Sequence, residues 1–240
     1  MMKTDPGRRL LLGGLAALPA MSLPRFAALA VPAPWHNPAA PAQPIRFDVR
    51  RGGNLIGTHT VRFTRDGADL IVDIDIALEV KLAFVTVYRY RHTNRETWRG
   101  GRLVGIDART NDDGEELIVR ATPSDDALRV EGRKGTIMVP GDTLSTSYWN
   151  AETVRRSRLI DTQHGSLAAV TSTPIGTRSV PTAAGPIEAA CWRVGGDLDL
   201  EICYAADGAW VGLDFEARGS RITYARATAS PSPELAPVTQ

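Results

Sequence analysis

The side chains with the clearest chemical potential lie in one stretch, residues 84–98, which reads FVTVYRYRHTNRETW. Successive side chains of a β-strand point to opposite faces of the sheet, so these positions separate by parity. The even positions combine aromatic rings with a histidine and a glutamate, and they are Phe84, Thr86, Tyr88, Tyr90, His92, Asn94, Glu96 and Trp98. The odd positions carry three arginines, Arg89, Arg91 and Arg95. If the side chains at the even positions face the interior, they form either a satisfied hydrogen-bond network or a ligand site.

His92 and Glu96 are the first candidates for catalysis. On a strand they share one face about 13 Å apart along the chain, so a catalytic pair needs help from neighbouring strands. A hydrolase-like enzyme would use His92 as a general base, with Glu96 or Asp161 as its orienting partner. The alternative is a buried histidine that is hydrogen-bonded among tyrosines.

Several function classes find no support in the sequence. It contains no GxSxG, HExxH, Walker loop or dinucleotide-binding fingerprint. Two cysteines and four histidines show no metal-ligand spacing, so we predict neither a metal nor a cofactor. The net charge of +1, from 28 basic and 27 acidic residues, does not indicate a basic surface for nucleic-acid binding. We therefore predict no nucleic-acid partner and interpret the arginine-rich face as solvated, with an anion-binding surface as the alternative.

Residues 1–30 have the pattern of an export signal peptide. Arg8 and Arg9 form a charged region, residues 10–23 are apolar, and a small-residue cleavage site follows at residues 28–30. The RRLLL arrangement resembles bacterial twin-arginine signals, which implies the twin-arginine export machinery as a partner and a periplasmic location. An ordinary secretory signal is the alternative. A retained transmembrane anchor is not expected, because the apolar run is short and Pro19 interrupts it.

The composition changes at both ends of the remaining chain. Residues 31–44 read VPAPWHNPAAPAQP, a Pro/Ala-rich linker, and residues 229–240 form a Pro/Ser-containing tail that we expect to be flexible. We therefore predict a single domain over residues 45–228, which is long enough to bury a core.

Strand-like segments recur about every ten residues through this domain, as in sandwiches and barrels. The clearest is residues 70–82, where apolar side chains alternate with largely charged ones. Asp66-Gly67 precedes it as a hairpin signal. The pattern breaks after Pro140. Residues 145–150 are predicted as an aromatic loop, Asn150 is a credible N-cap for one short helix at 151–157, and residues 159–165 are predicted to return to a turn. We predict an all-β fold: a strongly curved antiparallel sheet or open barrel of meandering hairpins, about ten to twelve strands with one short helix.

Cys191 and Cys203 are the only cysteines. A three-residue loop at 196–198 would place them opposite each other on two antiparallel strands, and the same register pairs Arg193 with Glu201. An exported protein meets an oxidising compartment, so we predict a cross-strand disulfide. Two free thiols are the alternative, because a one-residue change of register separates the pair.

Three stretches, YRYRHTNRETW, SYWN and LIDTQHG, resemble an uncharacterised family of exported proteobacterial β-proteins of unknown function. The resemblance extends from about Ile45 to Tyr224. It implies a curved antiparallel sheet and an exported location, and it implies no activity.

Barrels of this size can hold a small ligand among their inward side chains. The leading hypothesis is a periplasmic binding or carrier protein for a small hydrophobic or amphipathic ligand. The ligand-binding residues would be Tyr88, Tyr90, His92, Glu96 and Trp98, with Tyr148 and Trp149 at the cavity mouth. The alternatives are the hydrolase-like enzyme that uses His92 and a structural or envelope-interaction protein with a filled core.

Overall fold

A computed structural model of the protein describes residue 41 and residues 43–228. The predicted signal peptide, most of the linker and the predicted tail lie outside these described residues. The described part contains fifteen strands. Eight of them precede residue 141: β1 Ile45–Arg51, β2 Asn54–Asp66, β3 Asp69–Leu82, β4 Val85–Arg99, β5 Arg102–Asp112, β6 Glu115–Ser124, β7 Ala127–Gly132 and β8 Gly135–Pro140. Seven follow: β9 Leu144–Ser145, β10 Arg158–Ile160, β11 Leu167–Val180, β12 Ile187–Gly196, β13 Leu200–Ala205, β14 Trp210–Ala217 and β15 Ser220–Arg226.

All fifteen strands belong to one sheet, in the order β8-β7-β6-β5-β4-β3-β2-β1-β15-β14-β13-β12-β11-β10-β9. Neighbours in the sheet are neighbours in the chain except at the centre, where β1 pairs with β15. Every pairing is antiparallel apart from the parallel β9–β10 pair. The edge strands β8 and β9 are joined by residues 141–143, and no strand pairing between them closes the described sheet into a barrel.

The predicted all-β architecture of meandering hairpins is therefore confirmed, whereas the predicted number of strands is too low. Two short strands, β9 and β10, lie in the segment predicted as loop, helix and turn. Strands of two and three residues are too short to show an alternating pattern, because alternation becomes recognisable only over about four residues or more.

Alternation does predict which face of the long strands is buried. In β3, Leu70, Val72 and Ile74 are buried, and in β4 the even positions from 92 to 98 are all buried while the odd arginines are exposed. Phe84 is a correction to the parity argument. It lies in the β3–β4 turn, outside the strand, and its side chain is 99% exposed.

Arginines on the exposed outer face of β4 form ion pairs with β3. Arg95 contacts Asp73 at 2.7 Å and Arg99 contacts Asp69 at 2.7 Å. These pairs follow directly from the antiparallel register, which places each arginine opposite its acidic partner.

The one predicted helix is present, but it is a 3-10 helix of five residues, Ala151–Arg155. The side-chain oxygen of Asn150 accepts a hydrogen bond from the Glu152 amide, as an N-cap does. The chain leaves the helix early because Arg158 already starts β10. No helix among residues 41 and 43–228 has the length and apolar character needed to cross a membrane.

Cys191 and Cys203 form the predicted disulfide. Their Cα atoms are partners in the β12–β13 ladder, which also pairs Arg193 with Glu201. Both cysteines are buried in a small apolar cluster with Val180 and Val211, separate from the main core.

Candidate functional site

Strand register brings two histidines from different strands to one row of the inner sheet face. His92 of β4 is opposite Ile76 of β3, Ile76 is opposite His59 of β2, and His59 is opposite Phe47 of β1. The two imidazoles are therefore separated by a single intervening side chain in the row.

His59 is buried without a hydrogen-bond partner. The residue is 3% exposed, and neither ring nitrogen has a partner among the described residues. Its ring meets the edges of Trp210 and Tyr224, with centroid separations of 5.2 and 5.6 Å. Burial, reinforced by the nearby His92, lowers the pKa of His59 to about 3. His59 is thus a neutral imidazole at pH 7.

His92 has hydroxyl partners. Its Nδ1 lies 2.8 Å from the Thr110 hydroxyl and its Nε2 lies 3.5 Å from the Thr162 hydroxyl. Burial lowers the pKa of His92 to about 4, and nearby carboxylates, Asp161 first among them, only partly oppose that shift. Neither Asp161 nor Glu96 forms a hydrogen bond to His92 within residues 43–228.

A second row places two tyrosines on either side of a glycine. Tyr90 is opposite Leu78, Leu78 is opposite Gly57, Gly57 is opposite Val49, and Val49 is opposite Tyr224. Gly57 has a φ of +155°, and a Cβ there would lie 1.9 Å from a backbone oxygen of β3. Only glycine therefore fits this position, and the β1–β2 ladder has a register shift beside it, between Val49 and Arg50.

The LIDTQHG stretch forms a tight turn that projects Gln163 onto this row. The Asp161 carboxylate accepts hydrogen bonds from the amides of Gln163 at 2.8 Å and His164 at 3.3 Å, and it also contacts the His164 ring at 2.8 Å. Gly165, at φ +73°, packs against Gly132 so closely that a Cβ would approach its Cα to 2.6 Å. The turn is fixed at both ends, and its Gln163 accepts a 3.0 Å hydrogen bond from the Tyr90 hydroxyl.

The SYWN stretch crosses the same interior. Tyr148 adopts a φ of +62°, its carbonyl accepts a 2.8 Å hydrogen bond from the Tyr204 hydroxyl, and its ring lies 6.1 Å from Trp210. A non-glycine residue at positive φ is uncommon and is held there by its surroundings. Tyr148 consequently lies in the same pocket wall as His59 and His92.

These elements line two adjoining clefts that are both partly open to solvent and differ in their side chains. The first, here called the outer compartment, has a volume of about 370 Å³ and a largely apolar wall, including Ile56, Leu78, Val80, Phe215 and Ile222. The second, here called the inner compartment, has a volume of about 390 Å³ and a mixed wall, whose polar side chains include His59, His92, Asn94, Tyr148, Asp161 and Thr162. Ile76, Tyr90 and Gln163 line both compartments. The Tyr90–Gln163 hydrogen bond therefore lies at the junction.

The rim of the outer compartment combines exposed apolar and charged side chains. Val87 is 50% exposed, and the exposed Arg218 lies over the Tyr88 ring at 4.4 Å. The Tyr88 hydroxyl donates a 2.7 Å hydrogen bond to Asp112, and both residues line the compartment. Burial and the Asp112 carboxylate raise the pKa of Tyr88, so its hydroxyl stays protonated.

Glu96 lies in a filled part of the interior. Its side chain is fully buried, and its two oxygens accept hydrogen bonds from five donors. These are Asn94 Nδ2, Trp98 Nε1, Trp149 Nε1 and the hydroxyls of Ser145 and Ser147. The Trp98 and Trp149 rings also meet edge to face with centroids 5.0 Å apart. Glu96 thus ties β4 to the SYWN stretch.

The structure divides the predicted ligand-binding residues into two groups. Tyr88, Tyr90, His92 and Tyr148 line the compartments. Glu96, Trp98 and Trp149 are at most 3% exposed and line neither compartment, so Trp149 belongs to the core and not to a cavity mouth.

Sequence reasoning missed His59, Gln163 and Tyr224. His59 alternates with the buried Val61, and Tyr224 with the buried Ile222, so parity alone would have turned both inward. In the part of the chain that the structure describes, no group of three or more His, Cys, Asp or Glu side chains could hold a metal ion.

Comparison with known proteins identifies a family and a related fold. The profile of a family described as "Domain of unknown function (DUF6134)" matches residues 47–227, and the chain belongs to this family. The search of curated proteins gives no match.

The fold resembles a crystal structure from Brucella abortus, a "Beta-barrel-like Protein of Domain of Unknown Function DUF1849". The TM-score is 0.56 at 11% sequence identity, with 78% of this chain and 97% of that chain covered. At this identity the likeness concerns the fold alone.

Proposed function

We propose that this member of the DUF6134 family is an exported, periplasmic protein that binds or carries a small amphipathic molecule. The observation that carries the proposal is the pair of adjoining compartments, one largely apolar and one with many polar side chains. Each has a volume within the range of about 300–1,000 Å³ that is typical of small-molecule sites. An apolar chain would occupy the outer compartment and a polar group the inner one.

The polar wall of the inner compartment supports a ligand over a merely filled interior. A buried polar group with no partner is costly unless something else supplies its hydrogen bonds. The Tyr148 hydroxyl, in the wall of this compartment, has no partner among the described residues and its oxygen is not fully enclosed. The two oxygens of Glu96, in contrast, accept five hydrogen bonds. The two regions of the interior therefore differ: one is packed and complete, and the other is open and incomplete.

The hydrolase-like alternative has less support. His92 is held by two threonine hydroxyls and has a pKa of about 4, which makes it a weak base at pH 7. Asp161, its proposed partner, is engaged by its own turn and by His164. No specific observation favours catalysis.

Export is supported by two features of the chain. Residues 1–30 have the pattern of a signal peptide with Arg8 and Arg9 ahead of an apolar run. The disulfide Cys191–Cys203 is in keeping with an oxidising compartment. We propose the twin-arginine route on the RRLLL arrangement.

Native mass spectrometry of the protein purified from the periplasm tests this proposal. We expect a mass excess that disappears on denaturation and identifies the class of the ligand. Ala217→Trp, which places an indole in the outer compartment, should abolish the excess. Ala127→Trp, at a half-buried position that lines neither compartment, should retain it. A mature protein that carries no excess mass and binds no uncharged dye such as N-phenyl-1-naphthylamine would contradict the proposal.

A further inference from the structure

Two phenol groups, one in the wall of each compartment, have no hydrogen-bond partner among the described residues. The hydroxyls of Tyr148 and Tyr224 bond to none of the described residues. Their oxygens are also not sealed from the cavities as the His59 nitrogens are. Tyr148 lines the inner compartment and Tyr224 the outer one. Each therefore offers an unused O–H donor to whatever enters.

The two phenols form a cluster with Tyr90. Burial first, and then the proximity of Tyr224, raises the pKa of both Tyr90 and Tyr148. Burial alone raises the pKa of Tyr224. All three side chains consequently stay protonated at neutral pH and act as neutral donors. Trp210 fixes two of the rings, since its centroid lies 6.1 Å from each of Tyr148 and Tyr224.

The charges around the inner compartment disfavour an anion. Its wall contains no lysine or arginine among the described residues, but it does contain Asp161 and Asp197. His59 and His92 are neutral at pH 7. A buried carboxylate or phosphate would therefore lack a cationic partner.

A cationic head is disfavoured for a different reason. An ammonium group offers only donors, so it could donate to the phenol oxygens but would leave the O–H protons of Tyr148 and Tyr224 without an acceptor. The Asp161 carboxylate is already engaged by two backbone amides and the His164 ring, and the Asp197 carboxylate accepts the Ala169 amide.

We propose that the site binds an uncharged amphiphile whose polar group, an amide or a hydroxyl, accepts hydrogen bonds from Tyr148 and Tyr224 while its apolar chain fills the outer compartment. This assignment rests on the proposed binding function and specifies the chemical class of its ligand.

Three ligands of equal chain length test the assignment: octanamide, octanoate and octylamine. Titration calorimetry of the full mature chain at pH 7.5 should show octanamide binding at least about tenfold more tightly than either ion. Tyr148→Phe and Tyr224→Phe each remove one hydroxyl and should weaken octanamide binding roughly three- to tenfold, the value of one neutral hydrogen bond. Thr93→Val removes a hydroxyl from the exposed face of β4 and should leave the affinity unchanged.

The outcomes distinguish a failure of the ligand assignment from a failure of the proposed binding function. Octanoate or octylamine binding as tightly as octanamide would overturn the assignment and leave the binding function standing. Phenylalanine variants that retain full octanamide affinity would do the same. If none of the three ligands and no N-phenyl-1-naphthylamine binds, both the assignment and the proposed function fail. Urea unfolding of each variant verifies that a loss of affinity is not a loss of fold.

Discussion

Glu96→Met should be among the most destabilising polar substitutions in the chain. Methionine has a similar volume and accepts no strong hydrogen bond, so the change removes the acceptor with little change in packing. The five donors around Glu96 differ in whether they can find another acceptor. The hydroxyls of Ser145 and Ser147 lie 2.9 Å apart and can bond to each other. The indole N–H groups of Trp98 and Trp149 can only donate.

The loss of stability caused by Glu96→Met can be calculated from the indole N–H groups of Trp98 and Trp149. Each buried donor left without an acceptor costs about 1–3 kcal/mol. We therefore expect a loss of at least about 4 kcal/mol in the free energy of unfolding, since Asn94 Nδ2 loses its acceptor as well. Glu96→Gln keeps one oxygen for the indoles, and its NH₂ group can face the unpartnered Oδ1 of Asn94 after a flip of that amide. It should cost less than about 2 kcal/mol.

Urea unfolding followed by far-UV circular dichroism measures both changes, because indole fluorescence would report the altered site itself. With a slope of about 2 kcal/mol/M, Glu96→Met should lower the urea midpoint by roughly 2 M. Glu188 is exposed on β12, and its substitution by methionine or glutamine should change stability by no more than about 0.5 kcal/mol. If Glu96→Met proves as stable as Glu96→Gln, the account of the indole donors is refuted.

Three further predictions concern pH, the disulfide and a glycine. The folded pKa values of His59 and His92, about 3 and 4, lie below the unfolded value of 6.5, so stability is full above pH 6.5 and falls as the pH drops toward 4 and then 3. Between pH 7 and pH 5 each histidine should contribute a loss of about 2 kcal/mol, measured by urea unfolding at each pH. Replacing Cys191 and Cys203 together by alanine should cost about 3 kcal/mol, because the bond closes a segment with a sequence separation of 12. Gly57→Ala should cost about 2–5 kcal/mol, since its Cβ would clash with a strand backbone, and thermal unfolding will report the loss.

Matched variants identify the cause in each case. His59→Leu should remove about half of the histidine-linked pH dependence, and an unchanged slope would argue against a buried neutral imidazole. In the Cys191→Ala, Cys203→Ala double variant, the free energy of unfolding should no longer depend on whether a reductant is present. Gly195→Ala, where the nearest atom to a Cβ is 4.0 Å away, should be tolerated far better than Gly57→Ala. Equal losses at the two glycines would mean that the clash at Gly57 is not decisive.

The sequence by itself determined the features that depend on local periodicity and turn chemistry. The two-residue period identified the inward face of β4, including Tyr90 and His92, because alternation is a property of the strand alone. The register of the disulfide hairpin followed from its length and its complementary pairs. The Asn150 cap required only the residues beside it.

The division between cavity and core was decided only by the tertiary structure. Parity assigned Tyr90 and Glu96 to the same face, yet one borders an open cavity and the other a completed hydrogen-bond network. The difference arises from what crosses that face: the SYWN stretch supplies Trp149 to Glu96, and the LIDTQHG turn supplies Gln163 to Tyr90.

The composition of the site also depended on long-range strand pairing. Tyr224 reaches the row of Tyr90 only because β15, at the end of the domain, pairs with β1 at its beginning. Strand alternation specifies the face on which a side chain lies, but it carries no information about which distant strand lies beside it. That choice comes from the strand pairing of the whole sheet around its main core, and it is the reason that the three phenols and the two histidines meet.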